Sequence, residues 1–223
     1  MARAKQTKEI MMDFITTGPN RYCVHYDSWM DGGGTWFGQE YIDVIEQQYP
    51  GRVFDKCYEW CAGPAYIGFG LLDHGICKSL CASDIYSDAI LAVEQTIKQN
   101  RLTDVTAYAT GTVAGLPEHE KFDLVVSNPP HFLECPGDDN YQRIAVDQNW
   151  AAHQEFFANI GQHLLPNGVI LLQENQAGSL NREKDFEQYI NAAGLKITNV
   201  FDSPKHYTPD HYTQIYYIEI KQK

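Results

Sequence analysis

Residues Phe122 to Phe132 read FDLVVSNPPHF. Leu124, Val125 and Val126 form an apolar, β-branched run that predicts a buried strand. Pro129 and Pro130 stop it, because proline has no N–H to give to a central ladder. Pro130 also holds Pro129 in extended backbone, so the turn beyond the strand is stiff. Asn128 brings a carboxamide oxygen to this turn, and Pro129 a main-chain carbonyl released from sheet pairing. Two acceptors on one rigid loop suit the grip of both hydrogens of an NH2 group, with its lone pair aimed outward.

Strand and helix patterns alternate around this segment. Strands are predicted over 53–59, 79–83, 105–109 and 169–173. Helices are predicted over 65–73, 88–100, 151–165 and 182–193, the third presenting Phe156, Phe157, Ile160 and Leu164 on one face. Pro166-Asn167-Gly168 reads as a turn. Two last strands, near 196–202 and 213–220, are expected to pair antiparallel. Such alternation implies an α/β, doubly wound, mostly parallel sheet with helices on both faces, here over residues 51–223. Residues 1–50 read as an N-terminal extension packed on that domain, with a helical start, an aromatic Gly-rich stretch over 22–37 and a helix over 39–49. Gly32, Gly33, Gly34 and Gly38 surround Trp36 and Phe37. This stretch is either a flexible loop or a lid over the site.

The chain has 223 residues, 43% hydrophobic and 21% charged, which is enough for one full core. Its net charge of −12 and scattered basic residues disfavour a nucleic-acid partner. The densest basic patch is Arg3, Lys5 and Lys8. No apolar run has the length of a membrane span, and the first residues lack a signal-peptide pattern, so a cytoplasmic location is expected. Of the six cysteines, Cys57/Cys61 and Cys77/Cys81 are each separated by three residues rather than the two of common zinc knuckles. No metal is expected, and free thiols fit a reducing compartment.

In doubly wound sheets ligands sit beyond the carboxyl ends of the strands. The first strand of the domain ends in Glu59-Trp60-Cys61-Ala62-Gly63-Pro64-Ala65. Such a small-residue turn lets backbone approach a ligand and aims a helix N-terminus at a carboxylate, while Glu59 is suited to an ammonium. An α-amino acid group carries both charges. Asp84, at the end of the second strand, is suited to ribose hydroxyls, with Ile85 and Tyr86 beside an adenine. The alternative role for Asp84 is a buried helix cap.

Taken together, 53–132 resembles class I S-adenosylmethionine-dependent methyltransferases of the Asn-Pro-Pro-aromatic group, which methylate nitrogen. The similarity is strongest to the branch that modifies glutamine side chains in proteins. Glu59, Gly63, Asp84, Asn128, Pro129 and Pro130 match the group's pattern. The resemblance implies a seven-stranded Rossmann-like sheet with antiparallel C-terminal strands. It implies S-adenosylmethionine as cofactor, held by Glu59, Cys61, Ala62, Gly63, Asp84, Ile85 and Asn128. Asn128, Pro129 and His131 would be catalytic, and Trp36, Phe37, Pro130 and Phe132 would bind the acceptor. The expected reaction is N-methyl transfer to an amide or amino nitrogen of a protein or small molecule. The alternatives are an RNA or DNA base N-methyltransferase, or a cofactor-binding module without turnover. A nicotinamide-dependent dehydrogenase is disfavoured, since Gly63, Gly68 and Gly70 do not fit its glycine spacing. The chain departs from the pattern at Cys61 and Ala65, which replace turn glycines, and at Thr110-Gly111-Thr112, which lacks an acid. It departs again at His131, where Tyr or Phe is more usual.

Overall fold

The computed structural model describes residues 12–30, 38–135, 137, 139–207 and 214–223. The chain enters through a hairpin, β1 (Asp13–Thr17) and β2 (Tyr22–Tyr26), followed by α1 (Glu40–Gln48). There follow β3 (Cys57–Trp60), α2 (Tyr66–Asp73), β4 (Leu80–Asp84), α3 (Ser87–Asn100), β5 (Val105–Ala109) and β6 (Phe122–Ser127). The rest comprises α4 (Asp139–Ala145), α5 (Ala151–Ile160), β7 (Leu164–Asn175), α6 (Lys184–Ala192), β8 (Leu195–Tyr207) and β9 (Gln214–Gln222).

Seven strands form one sheet in the order β5-β4-β3-β6-β7-β9-β8. All pairings are parallel until β9, which runs antiparallel to both β7 and β8. The order reverses between β3 and β6, and the carboxyl ends of these two neighbours open the crevice where such folds bind ligands. Both faces are covered. Phe54, Phe69, Leu80 and Leu124 belong to the apolar cluster on the α1–α2 side, and Phe122, Phe156, Ile170 and Phe186 to the one on the α5–α6 side. Every residue of β3 and of β4 is buried, as a central parallel strand requires.

Three sequence expectations need correction. Residues 13–17 are not helical but form β1, because Ile15, Thr16 and Thr17 are β-branched and Gly18, at φ +49°, turns the chain back onto β2. The first sheet strand starts at Cys57 rather than at Val53, which is 52% exposed. The helix after residue 150 ends at Ile160, and β7 begins as early as Leu164. Phe122 then pairs with Leu164 and Leu124 with Val169, so Leu165, Pro166, Asn167 and Gly168 bulge out opposite Asp123 alone. The predicted Pro-Asn-Gly turn is this bulge. Helix α4 was not expected at all.

The hairpin is tied to the helices through a buried acid. Asp73, at the end of α2, accepts hydrogen bonds from the Thr17 hydroxyl and from the main-chain N–H of Asn20 and Tyr22. Helix α1 reaches the crevice itself. The buried Tyr41 hydroxyl lies 2.6 Å from the carbonyl of Ser127, the last residue of β6, and 2.9 Å from that of Leu171, within β7.

Candidate active site at the carboxyl ends of β3, β4 and β6

A cavity of about 260 Å³ lies in the crevice. Glu59, Cys61, Ala62, Gly63, Asp84, Ile85, Asn128 and Pro130, all singled out from sequence, line it. Pro129, His131 and Phe132 belong to the same turn but do not line the cavity. Trp36, Phe37 and the loop expected as a lid lie outside the described residues, apart from Gly38.

The turn after β3 keeps a glycine-like backbone with one glycine, Gly63. Cys61, Gly63 and Ala65 have φ of +50°, +50° and +61°. Left-handed backbone costs an ordinary residue roughly 1–2 kcal/mol, so this shape is held against local preference. It delivers the N-terminus of α2 to the floor of the cavity. There Glu59 accepts N–H bonds from Gly68 at 2.7 Å and Ile67 at 3.3 Å. Gly68 is needed for the approach, because a Cβ there would stand 2.7 Å from the Glu59 carboxylate. Burial pushes the Glu59 carboxyl up to about 8, against the pull of those two N–H groups.

Asp84 is 9% exposed and receives N–H bonds from Gly63 at 2.8 Å and Tyr86 at 2.9 Å. It therefore ties the β3 turn to the β4 turn. It does not cap α3 in the usual way, since Tyr86 is the N-cap and no side chain caps it. Burial raises its carboxyl above the usual range. Thr110 and Gly111 line the same end of the cavity, where the usual acid is absent, but the Thr110 hydroxyl donates to the Thr112 carbonyl.

Asn128 begins the stiff turn after β6. Its anchor is Ser127, whose hydroxyl donates to the Trp60 carbonyl at 2.5 Å and whose own carbonyl faces Tyr41. The Asn128 carboxamide oxygen lies 2.7 Å from Nε2 of His131.

Sequence reasoning missed the outer wall. Trp29 and Met30 come from the segment after the hairpin, and Arg143 and Ile144 from α4. The Arg143 guanidinium lies 4.4 Å from the centre of the Tyr86 ring and 5.0 Å from that of Trp29. Trp29 and Met30 belong to the stretch 22–37 that the sequence offers as a loop or lid, but nothing in the local pattern of α4 points to the crevice. Only the fold brings them there. It also missed Glu174, His153 and Asp147, which are buried behind Asn128.

Residues 42–195 match the family model described as the methyltransferase small domain. A curated relative, the tRNA1(Val) (adenine(37)-N6)-methyltransferase of Parabacteroides distasonis, is 33% identical over 98 residues, or 42% of this chain. That match spans only 40% of the relative's length. An S-adenosylmethionine-dependent methyltransferase from Clostridium acetobutylicum superposes with a TM-score of 0.61 at 14% identity, covering 86% of this chain and 93% of that one. M. jannaschii TYW2, crystallised with AdoMet, also gives 0.61 at 14% identity, covering 96% and 88%. At these identities the structural likeness is one of fold.

Proposed function

This chain belongs to the methyltransferase small domain family, a class I methyltransferase by fold, and we propose that it moves a methyl group from S-adenosylmethionine to an NH2 nitrogen on a planar group, either an amide or an exocyclic aromatic amine. The observation that carries this reading is the Asn128 carboxamide on the wall of the cavity that Glu59, Gly63 and Asp84 also line. The cavity suits the cofactor, with a buried carboxylate at each strand end and a helix N-terminus between them. Glu59 would take the ammonium, the turn at Cys61, Ala62 and Gly63 the amino-acid backbone, Asp84 the ribose hydroxyls, and Ile85 the adenine. When bound, the sulfonium would supply an already activated methyl group, leaving as the thioether S-adenosylhomocysteine while the methylated nitrogen gives up one proton to solvent.

The protein's task is then alignment, worth up to ~7–11 kcal/mol where a nucleophile is held in line. The Asn128 oxygen and the Pro129 carbonyl accept the two N–H bonds of the acceptor. They favour the pyramidal nitrogen of the transition state over the planar ground state. Pro130 and Phe132 flank the planar group, and His131 acts through Asn128.

Two acceptor classes share this chemistry. The net charge of −12 favours a protein or small molecule. The activity named for the P. distasonis relative favours an RNA adenine. Transfer of labelled methyl to a cell extract, followed by protease or ribonuclease, separates them. Asn128→Ala should lower turnover roughly 100-fold while cofactor affinity stays within a fewfold of wild type. Asn128→Asp should be milder, because a carboxylate accepts the same bonds. Full activity in Asn128→Ala, or label found on oxygen or carbon, would remove the assignment.

A further inference from the structure

Behind Asn128 lies a line of hydrogen bonds that the proposed transfer does not use. Nε2 of His131 lies 2.7 Å from the Asn128 oxygen, and Nδ1 lies 3.2 Å from Oε2 of Glu174. The other Glu174 oxygen lies 2.9 Å from Nε2 of His153, whose Nδ1 is 2.6 Å from Asp147. Glu174 and His153 are fully buried and Asp147 nearly so. The line crosses from the turn after β6 to the end of β7 and on to α5. No single element accounts for it.

Proton counting assigns the roles. His153 faces a carboxylate at each ring nitrogen, so it must donate from both. Burial alone would pull its imidazole down, but Glu174 and Asp147 outweigh burial and hold it up at about 9. Aromatic rings enclose the cation, with Phe186 stacked at 4.7 Å and Trp60 and Trp150 edge-on at 5.3 and 5.4 Å. Glu174 is correspondingly kept ionised, its burial outweighed by the two histidines. His131 then faces an ionised carboxylate on one side and a carbonyl oxygen on the other. Serving both takes both of its N–H groups.

We propose that Glu174, backed by His153 and Asp147, is a positioning residue: it holds the His131 ring as a double donor whose Nε2–H fixes the Asn128 carboxamide with its oxygen toward the acceptor NH2. This rests on the N-methyl reading above. A carboxamide can turn end for end, and only the oxygen end accepts. A carbonyl oxygen has two lone pairs, so the bond to His131 does not by itself block one to the substrate. The loop after β7 buttresses the ring's backbone, since Gly178 packs against the His131 carbonyl with no room for a Cβ. Glu174 is the titratable group facing His131. Behind Glu174 stand His153 on α5, Tyr41 on α1 and Tyr216 on β9, and burial keeps both phenols neutral.

Without the Glu174 charge, nothing holds the ring as a donor at both nitrogens. Glu174→Gln should lower kcat roughly tenfold, the loss of one hydrogen bond to a charged group, with acceptor KM and S-adenosylhomocysteine affinity within a fewfold. His131→Gln keeps a donor toward Asn128, so much of the turnover should be retained. His131→Phe should lose the turnover. Independently of activity, ¹⁵N shifts of labelled histidine should show an N–H at both His131 ring nitrogens in wild type and at one in Glu174→Gln. A kcat equal to wild type in Glu174→Gln, or unchanged His131 shifts, would overturn the assignment. If Glu174→Gln does not fold, full turnover in His131→Phe does the same. Methylation of oxygen with altered His131 shifts would instead remove the N-methyl reading and leave the hydrogen-bonded line standing.

Discussion

At the level of single residues, the site is built from side chains held against their own preferences. Cys61 and Ala65 sit in left-handed backbone, where glycine is the relaxed choice. Cys61→Gly should relieve roughly 1–2 kcal/mol of strain and give back roughly 0.5–1 through the more flexible unfolded chain. A small rise in Tm is expected, where glycine substitution in an ordinary segment lowers it. Glu59 is held against its preference in a different way. With its carboxyl raised to about 8 by burial, the free site keeps it protonated at neutral pH. A cationic ligand favours the carboxylate, so binding should release a proton. Affinity for S-adenosylmethionine should rise as pH approaches about 8 and level off above it, and Glu59→Gln should flatten the profile. Calorimetry in buffers of different ionisation heat reads the proton directly, and equal heats in all buffers would refute the coupling.

At the level of elements, the parallel half of the sheet was legible because β-branched runs and Pro or Gly stops act locally. Strand β5 has the bounds its sequence predicts, and β6 is built around the predicted run of Leu124, Val125 and Val126. The N-terminal hairpin was not legible, because the decisive contacts come from Asp73 and Asn100, far along the chain. The cofactor half of the cavity was readable for the same local reason. Glu59, Gly63 and Asp84 lie in two short turns of recognisable composition. Glu174, His153 and Arg143 were not, since their meaning depends on which strands become neighbours. Helix α1 makes the point testable. One phenolic proton of Tyr41 serves the carbonyls of Ser127 on β6 and Leu171 on β7. Tyr41→Phe should cost roughly 1–3 kcal/mol for a buried acceptor left without its donor. It should also lower turnover, because Ser127 anchors Asn128. A variant less stable but equally active would show that the clamp serves the fold alone.

At the level of the whole molecule, the buried charges set a pH window. His153, raised to about 9 from an ordinary value of 6.5, contributes stability that is complete below 6.5 and lost as pH rises through 9. Asp147 and Glu174 are depressed by His153, so their contribution is present above the ordinary carboxylate range and lost on acidification. The Tm should therefore peak between these limits and fall between pH 7 and 10. A Tm flat across that interval would mean that His153 is neutral in the folded protein. Chain order adds a consequence in time. Strands β3, β4 and β5 come from one continuous stretch, whereas β6, the other neighbour of β3, is made only after β5. During synthesis, one edge of β3, a strand whose four residues are all buried in the finished sheet, stays open until residues 122–127 leave the ribosome. A pause in translation just after β5 would thus expose a sticky half-sheet to its neighbours on a polysome, and codon speed around residue 120 becomes a determinant of yield.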